Sequence, residues 1–385
     1  MDAKSLKVHI VGAGVSGLVA AQVLEKHGLI PIIIEATDRV GGRLKTDIID
    51  GFQLDRGFQV LLSSYSAAKK YLDYKALDLQ KLKAGSCIFI NGKQKFFGDP
   101  LRDFTLFFPT LFSGIGNMSD KIKIAKLNFS LQKKTIAEIF EGDEITTKQY
   151  LDNLGFSKNI IQKFFLPFFS GIFLENSLKT PSRMFEFVFK MFGEGLGVLP
   201  KGGIEDISKQ LKEKLQSTEI HYNTLVSKVK NKVITLSNGK KIESHYVIIA
   251  AEPSSLVENL KNQQIDWKSC ENLYFTCANR VYDKAFIGLI ANKESLINNI
   301  FYPTSLKTIH RGKRDLISVT VVKEHGLSEK DLINQVKIEL KKECKIEDAH
   351  FLKLYNIPKA LPDINNLQYE IFPSETKLKD GVFLA

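Results

Sequence analysis

Gly12, Gly14 and Gly17 stand in the spacing Gly-x-Gly-x-x-Gly, and an acid, Glu35, follows at the end of the next apolar run. Glycines so placed let a chain turn sharply from strand to helix and bring backbone N–H groups against phosphate oxygens. An acid beyond the next strand accepts hydrogen bonds from ribose hydroxyls and disfavours a 2′-phosphate. Glycines cluster in many loops, so the surroundings decide. Lys7 to Val11 is a short β-branched run; Leu18, Ala21, Val23 and Leu24 follow at helical spacing; Gly28 ends that helix; Pro31 to Glu35 is a second buried strand. This is a βαβ unit with the pyrophosphate of a dinucleotide expected at its helix N-terminus, and to this point NAD and FAD fit equally well.

The next residues discriminate. Ala36-Thr37-Asp38-Arg39-Val40-Gly41-Gly42-Arg43 places a glycine pair between two arginines. That combination suits a second pass of backbone and guanidinium charge along a pyrophosphate and ribityl chain, which an NAD site does not need. The stretch resembles the signature of the superfamily of flavin-containing amine oxidases, protoporphyrinogen oxidases and phytoene desaturases. Leu54-Asp55-Arg56-Gly57-Phe58-Gln59-Val60 is similar to the family's D-x-G segment beside the isoalloxazine, and Leu199-Pro200-Lys201-Gly202-Gly203 to its P-x-GG element. Leu225 to Val229 resembles the adenine-contacting strand, and Tyr246 to Pro253 the closing strand of the cofactor domain.

The resemblance implies noncovalent FAD, since no Cys sits in a flavinylation motif near the C-terminal end. It places Val11, Gly12, Gly14, Val15, Ser16, Gly17, Glu35, Ala36, Gly41, Gly42, Arg43, Gly57, Phe58, Gln59, Val60 and Val226 at the cofactor. It implies an α/β fold: a Rossmann-like FAD-binding domain of the GR2 type, with an inserted α+β substrate domain. The expected cofactor domain is discontinuous, comprising residues 1–75, 198–258 and 360–385, with a substrate or cap domain of 76–197 and 259–359. In one respect the chain departs from the family. It ends Gly381-Val382-Phe383-Leu384-Ala385, where a Gly-Asp pair and a helix facing the flavin ordinarily follow. A truncated form is expected on that ground. The family's amine-oxidising members use a lysine in the substrate-domain sheet; Lys284 and Lys323 lie in the right region, but their surroundings do not match, and no catalytic residue is assigned.

Elsewhere, Asp50-Gly51, Asn91-Gly92 and Asn238-Gly239 mark hairpin turns. A helix is expected from Gly202-Gly203 to about Leu215, another from Glu329 to Lys342, and strands near Ile220, at Val233–Leu236, Tyr246–Ala250, Leu316–Val322 and Phe351–Tyr355. Between Leu101 and Phe192 the chain is helical and rich in phenylalanine, of which the sequence has 27 against one tryptophan. Aromatics at helical spacing ordinarily form a core. The density of Leu106 to Phe112 and of Phe164 to Phe169 also suits a tunnel or a membrane-docking surface for a lipophilic molecule.

The expected reaction is hydride transfer from such a substrate, isoprenoid, carotenoid-like or porphyrinogen, to flavin N5, with oxygen, a quinone or another acceptor taking the electrons. A small-amine oxidase, an NAD-linked dehydrogenase and a noncatalytic flavoprotein are the alternatives. At 385 residues, two domains are the natural division. The formal charge of +11 is scattered over predicted helix faces, and no nucleic-acid-binding module accompanies it. Cys87, Cys270, Cys277 and Cys344 have no metal or disulfide spacing and read as buried thiols. No apolar run reaches the roughly 18 residues of a membrane span. A cytoplasmic location is expected, with peripheral contact at the inner membrane face left open.

Overall fold

The computed structural model describes residues 5–257, 266–363, 368–369 and 371–385. Strand β1 (Val8–Val11), helix α1 (Val15–Lys26) and strand β2 (Pro31–Ile34) form the expected unit, with β1 and β2 parallel in the register Val8↔Pro31 to Val11↔Ile34. Apart from His9, which is buried, both strands are apolar, as in parallel sheets covered on both faces generally. Gly28, at φ +77°, closes the helix. The strands Glu219–His221, Tyr246–Ile249 and Val382–Leu384 extend this sheet in parallel, and Lys377–Lys379 adds an antiparallel edge. Three separated stretches of chain therefore build one sheet. The boundary expected at 258–259 lies outside the described residues.

A second sheet of seven strands is largely antiparallel and runs in the order His350–Pro362, Trp267–Cys277, Asp315–Val321, Ile297–Phe301, Ile287–Ile290, Gly85–Ile90, Lys93–Gly98. It is covered on both sides. Cys87 and Phe89 pack beneath the Glu329–Cys344 helix with Val336 and Leu340, whereas Ile88 between them points into the cluster of Phe165, Phe169 and Phe185. The period-two alternation of one strand thus feeds two different cores.

The turns at Asn91-Gly92 and Asp50-Gly51 are as expected: all four residues have positive φ, and the flanking strands pair as Ile90↔Lys93 and Ile49↔Phe52. Other expectations need correction. The helix after Gly203 is shorter, Asp206–Glu213, because residues 203–205 form the tight turn that precedes it. The Phe351–Tyr355 strand is part of a 13-residue strand, and the 11-residue Trp267–Cys277 strand beside it is not evident from the sequence. Its first half, Trp-Lys-Ser-Cys-Glu, mixes polar and apolar residues because it stays partly exposed.

Candidate active site

At the end of β1 the chain crosses from sheet to helix within a few residues. Gly12 has φ +104°, donates its N–H to Ile34 O at 2.9 Å, and would place a Cβ 2.9 Å from Ala250 O. A Cβ on Gly17 would lie 2.0 Å from the Gly12 carbonyl oxygen, so helix and turn touch backbone to backbone. Gly14 is different. Its φ of −72° suits any residue, and a Cβ there meets nothing within 4 Å. The space it faces is a cavity of about 1820 Å³ lined by Gly12, Gly14, Val15, Ser16 and Glu35. Gly14 is also the N-cap of α1, with no side-chain cap and no acid in the first turn. The helix start therefore presents free N–H groups and partial positive charge to that space, the arrangement that binds phosphates. The cradle fits a dinucleotide pyrophosphate.

Glu35 is buried, and its carboxylate accepts from Ala13 N at 2.7 Å and from Thr37 N and Oγ1 at 2.9 and 2.7 Å. Two oxygens have about four acceptor positions, so one remains for a ligand hydroxyl. The acid both clamps the glycine turn and faces the cavity.

A second loop lies against the first. Gly41, at φ +124°, donates to Ala13 O at 2.9 Å, and a Cβ on Gly42 would come within 3.3 Å of Gly14 Cα. Of the two flanking arginines, only Arg43 lines the cavity; it donates to Ala360 O at 3.1 Å and lies 5.8 Å from the centre of the Trp267 ring. Arg39 is engaged elsewhere, paired with Glu205 and Asp47 at 2.8 Å each. It holds the loop instead of facing a ligand.

Gly57, Phe58, Gln59 and Val60 line the cavity beyond Arg43, and Gln59 Nε2 donates to Arg43 O at 3.0 Å. Asp55, just before them, accepts from Thr46 Oγ1 at 2.6 Å and from Ile204 N at 2.9 Å, so it pins the Gly202-Gly203 turn to this segment. Desolvation, reinforced by Asp206 and Glu205 and opposed by those two hydrogen bonds, raises its carboxyl to about 6. Nearby Asp47 goes the other way. Against its own desolvation, hydrogen bonds from Arg56, Tyr355 and Arg39 hold it at about 2.

Asp55 gives a pH prediction. Between the ordinary aspartate range and about 6 the folded chain keeps a proton that the unfolded chain has lost, so Asp55 stabilises at low pH and that stabilisation fades as pH rises through about 6. Over this window the wild type is expected to lose up to about 3 kcal/mol relative to Asp55→Asn. Parallel denaturation curves across the window measure the difference, and a gap independent of pH refutes the assignment.

From the two loops the cavity runs on into the phenylalanine helices. Its far walls carry Phe164, Phe168, Phe189 and Phe192, together with Ile172 and Leu289. Few polar side chains interrupt them. Asn299 donates to Thr320 Oγ1 at 3.2 Å, and Asn128 has a buried Oδ1 with no partner. Lys284 and Lys323 do not line the cavity: Lys284 is exposed, and Lys323 donates to the carbonyls of Lys293 and Ser295. Val11, Gly17, Ala36 and Val226 are not in the walls either; Val11, Gly17 and Val226 are packed beneath them and Ala36 is exposed. Cys270 lines the cavity and is only half-buried, unlike the other three thiols; burial and Glu271 push it up to about 11. Sequence reading misses the lining stretch from Asn356 to Pro362 in the His350–Pro362 strand, and Trp267, Asn299 and Thr320, because the sheet that aims them joins segments far apart in the chain. No group of described residues could hold a metal ion, and no helix among them is long and apolar enough to cross a membrane.

Comparison with known proteins agrees with this geometry. The sequence model of the flavin-containing amine oxidoreductases matches residues 15–354. Hydroxysqualene dehydroxylase of Rhodopseudomonas palustris is 42% identical over 69 residues, 17% of this chain and 16% of that protein. The L-amino-acid oxidase BmooLAAO-I of Bothrops moojeni is 22% identical over 339 residues, 77% of this chain and 64% of that one. The chain spans less than a fifth of the length of the first curated relatives it matches. Among solved structures, an oxidoreductase from Methanosarcina mazei superimposes with a TM-score of 0.74 at 17% identity, covering 98% of this chain and 94% of that one.

Proposed function

Because the chain belongs to the flavin-containing amine oxidoreductase family, we propose that it is an FAD-dependent oxidoreductase acting on a lipophilic substrate, isoprenoid, carotenoid-like or porphyrinogen. When bound, the flavin supplies the hydride acceptor and passes electrons on to oxygen, a quinone or another acceptor. The protein's part is placement. The free start of α1 with Gly12, Gly14, Val15 and Ser16 holds the pyrophosphate, Glu35 the adenosine ribose, and Gly41, Gly42 and Arg43 the second pass along the phosphates. Gly57 to Val60, which line the cavity beyond Arg43, would hold the ring system.

One observation carries the reading of the substrate: the cavity that opens at the glycine turn is continuous with walls of phenylalanine. Such walls take up an apolar molecule and exclude water from the reacting centre. Asn299, Thr320 and the unpartnered Asn128 oxygen are among the polar points that could fix its orientation. An ammonium group would find little to compensate its desolvation there. Relatives point both ways: one curated relative is named for hydroxysqualene, another for L-amino acids.

The thiol chemistry supports noncovalent attachment. Cys270, the one cysteine in the cavity wall among the described residues, stays protonated at neutral pH and is a poor nucleophile. The purified chain is expected to show flavin absorption and, once denatured, to release all of it as FAD. A spectrum without flavin bands contradicts the proposal and favours a nicotinamide enzyme; flavin that stays with the precipitated protein contradicts noncovalent binding.

A further inference from the structure

The rim of the cavity is unusually apolar for a surface. Leu101, Phe107, Met118 and Phe129 line the cavity and are also exposed, Leu101 to 90% and Phe129 to 61%. Beside them Phe104, Phe108 and Phe112 are 76%, 61% and 72% exposed and are not part of the cavity wall. Their rings are in mutual contact through Phe107, with centroids 5.9 Å apart for Phe104–Phe107, 5.3 Å for Phe107–Phe108 and 6.4 Å for Phe108–Phe112. Phenylalanines that touch one another and water, at the mouth of an apolar cavity, form a patch that needs a partner.

Charge shows which partner. The helix Met118–Lys133 carries Lys121, Lys123, Lys126 and Lys133. Its single acid, Asp120, is buried and accepts from Asn117 N and from Ser157 N and Oγ. Met118, Ile122, Lys126, Phe129 and Lys133 recur at spacings of three and four, so they share one outward stripe, on which Lys133 lies 4.2 Å from the centre of the Phe129 ring. Apolar side chains alternating with lysine and free of acid on an exposed helix face suit the boundary between anionic headgroups and acyl chains.

The geometry points to an anionic lipid bilayer as the partner, docked on the Leu101–Phe112 segment and the outer stripe of the Met118–Lys133 helix so that the cavity opens into the acyl layer. This rests on the lipophilic-substrate reading for its purpose, since such a molecule would pass from membrane to cavity without crossing water.

Cosedimentation of the 385-residue chain with vesicles of phosphatidylcholine, alone or mixed with phosphatidylglycerol, tests it. The chain is expected to pellet with the anionic vesicles and to be released by salt. The triple variant Phe104→Ser, Phe108→Ser, Phe112→Ser should bind roughly tenfold or more weakly, and Lys126→Glu with Lys133→Glu should lose the preference for anionic lipid. Thermal melting checks that each variant is folded. Absence of binding overturns the docking proposal, as does binding that survives the triple change, or light scattering showing a dimer that the same change dissociates. Supplying lipophilic donors in detergent micelles separates the two readings. Flavin reduction there without vesicle binding removes only the membrane, whereas vesicle binding without reduction by any such donor removes only the substrate assignment.

Discussion

Replacing Gly14 with valine is expected to give a folded protein that no longer holds flavin. The backbone at Gly14 is ordinary and a Cβ there meets nothing within 4 Å. It would stand in the space over the free N–H groups at the start of α1, where a pyrophosphate must come close. A loss of about 3 kcal/mol or more in binding, a hundredfold or greater in Kd, is expected from flavin titration of the apoprotein. Gly17→Ala supplies the contrast. Its Cβ would sit 2.0 Å from the Gly12 carbonyl oxygen, so that variant should fail by misfolding, with a lowered melting temperature or insoluble expression. Unchanged flavin affinity in a folded Gly14→Val protein contradicts the cradle assignment.

The second large effect separates the two roles of the phenylalanine helices. Phe185 is completely buried, with ring neighbours Phe165 at 6.0 Å and Phe169 at 4.7 Å. Phe185→Ala is expected to destabilise by about 3–5 kcal/mol, as truncation of a core aromatic generally does. Phe168 lies one layer out, half-buried in the cavity wall against Phe164 and Phe192. Phe168→Ala should cost only roughly 1 kcal/mol, yet change the rate with lipophilic donors, because it widens the cavity where they lie. Melting curves and flavin reduction rates on the two variants give the answer; similar stability losses in both contradict the division.

That division also marks the limit of what the sequence conveys. Density of phenylalanine is visible in the chain, but which rings meet one another and which face a void depends on how Gly85–Ile90 and Ile287–Ile290 pair beneath them. The glycine turn was legible because its elements lie within thirty residues, with Gly12 and Gly17 required sterically by the turn and Gly14 facing the space a ligand would fill. Glu35 was legible for the same cause, although its hold on Ala13 and Thr37 was not. Arg39 misled: in sequence it mirrors Arg43 across the glycine pair, and only tertiary structure brings Glu205 and Asp47 within reach to turn it away. Asn299, Thr320 and Trp267 had no local signal at all. They reach the cavity through a sheet that joins segments of chain more than two hundred residues apart, Gly85–Ile90 beside Ile287–Ile290.

The same separation explains why no acid or base stands out. Asp47 and Asp55, two carboxyls shifted in opposite directions, bind the two loops and the Gly203 turn together, and their partners are the Ile204 N–H, the hydroxyls of Thr46 and Tyr355, and Arg39 and Arg56. The cavity's inner walls are apolar, as suits chemistry carried by a cofactor and substrate selection made by shape.

The central claim, that this chain reduces bound FAD with electrons from a lipophilic donor, is met most directly by anaerobic bleaching of the purified flavoprotein. Polyenes, porphyrinogens, primary amines and amino acids are added in turn and the flavin absorption followed. Bleaching by a polyene or porphyrinogen, with amines and amino acids inert, is the predicted result; bleaching by an amine or amino acid alone, or by no donor in the panel, would contradict it.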